Sequence, residues 1–223
     1  MKKTVLKALM WFAIAAAPDC NAAAPQATQF EAVNVSVSRS DIQNQTAVRV
    51  TKDPKIKKFD EATFAKVKDT TFKNGTIEVR VLSRLLPDAP DFARGFIGVA
   101  FRVSEDNSKF ECIYVRPSNS RQDDQVRRNH SIQYFSYPDF KFQRLRKESP
   151  EAYESYADMG LEEWIDLKIV VKDQQAKLYV NGQKQPALIV NDLKLGPTAS
   201  GAIGLFVDVG TEGFFRNLEI HHD

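Results

Sequence analysis

The chain has 223 residues, 43% hydrophobic and 27% charged, with fifteen phenylalanines against two tryptophans. This is enough for one medium-sized domain whose apolar core folds without disulfides or metals. Three of the 31 basic residues and one of the 29 acidic ones lie in the first 22 positions. The remainder is formally neutral, which argues against nucleic acid as a partner, since that would need a strong positive field.

Lys2, Lys3 and Lys7 flank and precede a short apolar run, Ala8–Ala17, which Pro18 and Asp19 break. Cys20-Asn21-Ala22 then offers small residues where a signal peptidase would cut. Residues 1–22 read as a secretory signal peptide, too short to span a bilayer. The protein is therefore expected to be exported, periplasmic or extracellular, with no membrane span. Cys20 follows Ala17-Pro18-Asp19 rather than the Leu-Ala-Gly-like triplet of a lipid-modified cysteine. Cys112 is the one cysteine left in the mature chain and reads as a small buried hydrophobe.

Residues 23–28 form a small-residue linker, and 29–223 read as a single β-sandwich domain. The dominant period is two, the mark of half-buried strands. Asp60–Val67 reads as a short helix or turn. Asn74-Gly75 turns the chain into Thr76–Leu82, where Ile77, Val79 and Val81 share one face. Ile97, Val99, Phe101 and Val103 share a face of the next strand, beside small Gly98 and Ala100. Further strands are expected at Phe110–Arg116 and Ile132–Tyr137, and Pro150–Tyr156 reads as a second short helix. Ile165–Val171 and Ala176–Val180 make a hairpin. Asn181-Gly182 turns into Lys184–Val190, and Ala202–Asp208 and Phe214–Ile220 close the chain. Many short strands with Gly, Pro and Asn punctuation describe an all-β sandwich or barrel rather than a βαβ fold.

The run Trp164-Ile-Asp-Leu-Lys-Ile-Val-Val171 followed by Ala176-Lys-Leu-Tyr-Val-Asn-Gly182 resembles the hairpin of concanavalin A-like lectin/glucanase domains. Gly201-Ala-Ile-Gly-Leu-Phe206 and Phe214-Phe-Arg-Asn-Leu-Glu-Ile220 resemble their closing strands. Over residues 72–221 the pattern is similar to exported bacterial domains of the laminin-G-like and 3-keto-disaccharide hydrolase type. The resemblance implies an antiparallel jelly-roll sandwich of two sheets, with ligands across the concave face or at its rim loops. Such motifs specify fold and leave function open.

Chemistry concentrates between Arg116 and Tyr156. Arg116, Asp124, Arg127, Arg128, Asn129, His130, Gln133 and Tyr134 gather guanidinium, amide and imidazole groups suited to sugar hydroxyls or carboxylates. If the apolar phase of each strand faces the core, then Glu78, Arg80, Arg102, Tyr114 and Arg116 face outward. That reading gives a polar groove for an oligosaccharide or an acidic sugar; the alternative is a solvated face of ion pairs. His130 is the one histidine outside the tail and titrates near neutrality. With Glu148 and Glu154 it forms the candidate acid/base set.

The strand pattern of family glucanases, Glu-x-Asp-x-x-Glu, is absent, and Glu163-Trp-Ile-Asp166 has the wrong spacing for it. Asp123-Asp124 and Asp106-Asn107 are oxygen donors of the type calcium takes, but no ligand spacing marks a metal site and no cofactor is assigned. Three functions remain open: a lectin-like carbohydrate-recognition domain, a glycan-cleaving hydrolase of the 3-keto-disaccharide type, and an adhesion module. The oligomeric state leaves no mark in the sequence.

Overall fold

A computed structural model describes residues 29–223; the signal peptide, cleavage point and linker expected from the sequence lie outside them. Two seven-stranded antiparallel sheets pack face to face, with strands numbered along the chain. The first sheet runs in the order β1 (Phe30–Val33), β4 (Phe64–Val67), β13 (Ala202–Val207), β6 (Ile97–Val103), β7 (Phe110–Val115), β8 (Ile132–Tyr137) and β9 (Glu154–Ser155). The second runs β12 (Leu188–Val190), β11 (Gln175–Val180), β10 (Ile165–Lys172), β5 (Gly75–Leu85), β14 (Thr211–His222), β3 (Gln45–Lys52) and β2 (Val35–Ile42). Two short helices, α1 (Gln125–Asn129) and α2 (Phe142–Glu148), interrupt the strands. No helix among the described residues is long and apolar enough to cross a membrane. This is the expected all-β jelly-roll sandwich.

The two sheets differ in how they meet water. In β10 and β11, buried and more exposed residues alternate, so the second sheet keeps one solvated face. Its buried side chains, among them Ile77, Val79, Val81, Leu167, Ile169 and Leu178, form one half of the core. In β6, β7 and β13 every residue is buried. The first sheet is therefore covered on both faces. Its outer cover comes from the loop around Asp60 and from α2: Asp60 accepts the Phe142 N–H (3.0 Å), and the hydroxyl of Tyr114 on β7 lies 3.3 Å from the same carboxyl group.

Beneath this cover the outer face of the first sheet is packed with aromatic rings. Phe64, Phe110, Phe135, Tyr114 and Phe206 meet with centroids 5.2–5.8 Å apart, mostly edge to face. Such pairs contribute about 0.5–1.5 kcal/mol each beyond their area burial. Gly98 is opposite Tyr114 on one side and Phe206 on the other. The two rings meet across it with centroids 5.5 Å apart.

Several local expectations change. Asp60–Val67 is not a helix: its second half is β4, held between β1 and β13, with Phe64 and Ala65 fully buried. Pro150–Tyr156 is a turn followed by the two-residue β9, and the helices lie instead at α1 and α2. Residues 30–52, unassigned from sequence, form β1 to β3. The strand expected over Lys184–Val190 shortens to Leu188–Val190.

A side chain at Gly98 has no room. A Cβ there would sit 2.3 Å from the Ile113 carbonyl oxygen and 2.4 Å from the Tyr114 Cα, both backbone atoms of the neighbouring strand. Gly98→Ala is expected to lower stability by about 1–3 kcal/mol through overpacking, read as a lower urea midpoint at unchanged m-value.

Candidate functional site

One transverse row of the first sheet runs in register from apolar to polar: Phe64, Phe206, Gly98, Tyr114, Gln133, Glu154. Arg116 follows Tyr114 by two residues and lies over the polar end of this row. Its Nη2 donates to the Tyr114 hydroxyl (2.7 Å) and to Gln133 Oε1 (2.9 Å), and its Nη1 donates to Glu154 Oε1 (2.8 Å) and to the His130 carbonyl (3.1 Å). Arg146, on α2, adds two bonds to the same carboxylate, Nε to Oε2 at 2.7 Å and Nη2 to Oε1 at 2.6 Å. Burial raises the Glu154 carboxyl, but the bonds from Arg146 and Arg116 outweigh it and hold the group below its usual range.

His130 closes the cluster. Asp124 accepts the Arg127 N–H at the start of α1 (3.1 Å), and His130 ends the helix. The His130 carbonyl is pinned by Arg116 and by Asn119 Nδ2 (3.1 Å). Its imidazole Nε2 lies 3.5 Å from Glu154 Oε2, with 23% of the side chain exposed against 4% for Glu154. Burial lowers its pKa; Glu154 opposes this, and Arg146 and Arg116 reinforce it, leaving the ring neutral at pH 7.

The buried network continues away from the histidine. Tyr114 reaches Asp60, whose own N–H donates to Asp208 Oδ2 (2.9 Å), and Asp208 pairs with the buried Lys52 at 2.5 Å. Burial first, and then the charge of Asp208, raise the Asp60 pKa to about 6.

Arg116, Gln133, Glu154 and His130 are thus brought together, but Arg116 and Gln133 are sealed rather than lining a groove. The expectation that Arg102, Tyr114 and Arg116 face solvent is corrected, because the outer face of their sheet is covered. Arg102 sits elsewhere, with φ +52°, fully buried, and donates to the carbonyls of Lys73, Gly196 and Asp173. Tyr134 is one residue out of phase with Gln133; its hydroxyl donates to Glu111 (2.6 Å) and accepts from Lys194 N–H (2.9 Å), away from Arg116.

Glu148 pairs with Arg144 on the exposed side of α2 (2.8 Å), not with Glu154. Asp124 serves as a helix cap. Arg127 bonds the side chains of Asn119 and Gln122, Arg128 stacks over Tyr156 at 5.2 Å, and Asn129 accepts from Gln125. Asp106, one of the calcium-type donors, takes its bonds from Ser104 and Ser108. Asp60 joins the site from a segment far away in sequence, which only strand register and the cover of the sheet could have placed, whereas Arg146 belongs to the polar segment itself, eight residues before Glu154.

The second sheet meets the outward-face expectation at Glu78 and Arg80. They line an open groove of about 620 Å³ with Asp166, Lys168, Tyr179 and Asn217. Its charges are cross-paired, Arg80 with Asp166 at 2.7 Å and Lys168 with Glu78 at 2.8 Å. At its end, ligand-type atoms of Glu78, Glu219 and His221 lie within 4.8 Å of one another on the solvated face, a grouping not anticipated from the sequence.

Two measurements test the buried network. Arg116→Ala leaves Glu154 buried with one partner fewer and is expected to cost about 3–5 kcal/mol in chemical denaturation. Asp60 binds its proton more tightly folded than unfolded, so its contribution is present below pH 3.8 and lost as pH rises through about 6. Asp60→Asn should remove that decline, roughly 3 kcal/mol at most, from the stability curve between pH 4 and 7.

No protein of curated function matches the sequence. Among solved structures, the chain is similar to a Bacillus subtilis protein of unknown function with a galectin-like fold, at 11% identity and a TM-score of 0.51 over 88% of this chain and 90% of that one. It is also similar to a putative glycosyl hydrolase from Parabacteroides distasonis, at 12% identity and a TM-score of 0.50 over 87% and 88%. The carbohydrate-binding module CBM66 of Bacillus subtilis aligns at 12% identity and a TM-score of 0.49 over 84% and 94%. At these identities the first two likenesses bear on the sandwich fold alone. A family model matches residues 31–221, nearly the whole described sandwich, and the chain belongs to the family of 3-keto-alpha-glucoside-1,2-lyase-like domains.

Proposed function

We propose that the protein binds a glucoside carrying a ring ketone against the exposed edge of His130, and that His130 serves as the base of an elimination. The observation that carries this reading is a half-exposed imidazole, held neutral, against a carboxylate locked between two guanidinium groups. Glu154 favours the tautomer with the proton on Nε2, which leaves the Nδ1 lone pair for a substrate proton.

The chemistry suits the family's reaction class. A C–H next to a ring ketone is acidic. His130 takes this proton from C2, the electron pair forms the C1–C2 double bond, and the glycosidic C1–O bond breaks. The proton on His130 then passes to the departing oxygen. Arg116 and Arg146 keep the site positive while negative charge develops on the ketone oxygen. The signal-like N-terminus supports placing this activity outside the cytoplasm.

A second reading, sugar binding without turnover, is favoured by the open groove on the second sheet. The lectin-like recognition expected of the Arg116–Tyr134 segment would then fall to Glu78, Arg80, Asp166 and Lys168 instead.

The test is turnover of a 3-keto-α-glucoside, followed by the ultraviolet absorbance of the unsaturated product. His130→Gln is expected to lower kcat at least about a hundredfold. Unchanged kcat in this variant would reject the base. Sugar binding that survives His130→Gln and disappears in Arg80→Ala/Lys168→Ala would favour the second reading. Because the base must be neutral and its pKa is depressed, the acid limb of kcat/KM should lie below pH 6.5. Arg146→Gln removes one of the positive charges that depress it and should move that limb upward.

A further inference from the structure

We infer that Asp60 is a positioning residue of the His130 site: through Phe142 it holds Arg146 on Glu154, and through Tyr114 it steadies Arg116 on the same carboxylate. This rests on the reading of His130 as the base.

Both routes are made of direct contacts. Lys141 opens α2 and offers its first turn no side-chain cap, so the Phe142 N–H goes across the chain to Asp60 Oδ2 (3.0 Å). Phe142 and Arg146 stand one turn apart on α2, and the Arg146 guanidinium lies over the Phe142 ring, 5.1 Å from its centroid. The same guanidinium makes the two bonds to Glu154, whose Oε2 is 3.5 Å from His130 Nε2. On the other route, Asp60 Oδ1 accepts the Tyr114 hydroxyl (3.3 Å), that hydroxyl accepts from Arg116 Nη2 (2.7 Å), and Arg116 Nη1 holds Glu154. The two paths from Asp60 meet at the carboxylate that faces the imidazole.

The Asp60 end is fixed. The residue is 1% exposed and takes a left-handed backbone, φ +50°. Its N–H donates to Asp208, Asp208 pairs with Lys52 on β3, and Lys52 Nζ also donates to the Lys58 carbonyl (2.6 Å). Beside it, Glu61 pairs with Lys141 (2.5 Å), and Phe59 packs edge-on against Phe142 with centroids 6.1 Å apart. Residues 59–61 thus hold the first turn of α2 by a ring, a carboxylate and an ion pair. The helix has little else to hold it, since Leu145 is its one buried residue. Arg146 is 37% exposed in its side chain, and a long exposed side chain keeps a single geometry only at a cost in entropy.

The charges around His130 give the role a sign. Glu154 and Glu151 raise the His130 pKa, and Arg146 and Arg116 lower it. Loss of the Asp60 charge alone would lower that pKa, whereas loosening of Arg146 would raise it. The Phe142 N–H favours the ionised form of Asp60, so protonation of Asp60, centred at about 6, weakens its hold on α2.

The test is an NMR titration of the His130 ring in the full chain, its signals assigned with His130→Gln. Asp60→Gly removes the carboxylate and accepts the left-handed backbone without strain. It is expected to raise the His130 pKa by about 0.5 or more, as Arg146→Gln does, and the double variant should rise no further than Arg146→Gln alone. The acid limb of kcat/KM should follow. Asp60→Asn keeps an oxygen for the Phe142 N–H and should cancel the rise. A His130 pKa that falls or stays in Asp60→Gly, or shifts that add in the double variant, would overturn the proposal. In the unsubstituted protein the Phe142 N–H and Arg146 Nε–H signals should move together with a midpoint of about 6. An Arg146 signal indifferent to that step would overturn it too, whether or not Asp60→Gly folds. Linkage in a protein that turns over no 3-keto-glucoside would remove the elimination and keep the role of Asp60; turnover without linkage would do the reverse.

Discussion

The guanidinium of Arg116 is the point on which the polar half of the first sheet depends. It is a buried cation with four partners: Tyr114, Gln133, Glu154 and the carbonyl of His130. An ion in this position is tolerable only when its hydrogen bonds are complete and an opposite charge is near. Glu154 supplies that charge, β9 exists to bring it alongside β8, and α2 delivers Arg146 to its far side. The short strand, the helix and the loop that ends in His130 therefore share one electrostatic centre.

How much of this was legible varied with solvent exposure. The hairpin of β10 and β11 could be read because its sheet keeps one wet face, so apolar and polar residues alternate. The first sheet is dry on both faces, and there alternation stops reporting direction: Gln133 and Tyr134 are equally buried yet point to opposite sides. The residue types of the site were visible as a polar segment. Their burial was not, because the cover comes from Asp60 and Phe142, which are 82 positions apart. Arg102 shows the same limit, since a strand arginine reads as outward until its left-handed backbone turns it onto the carbonyls of the adjoining loops.

The two sheets divide the chemistry. On the second, charges pair across neighbouring strands in solvent, where each pair contributes little and the surface stays open. On the first, a few ions share a desolvated frame, and one half-exposed histidine is the group left at its edge. Membership of a lyase-like sugar family fits the second kind of site better, because pKa values shift and charges are held in place where water is excluded.

The histidine ends a five-residue helix in a loop rather than standing on a strand. Scaffold and proposed base are consequently separable. Insertions or exchanges within that loop would alter the surroundings of the imidazole without disturbing the aromatic packing around Gly98. A descendant protein could gain a new preference by rewriting a dozen residues while inheriting the rest of the architecture unchanged.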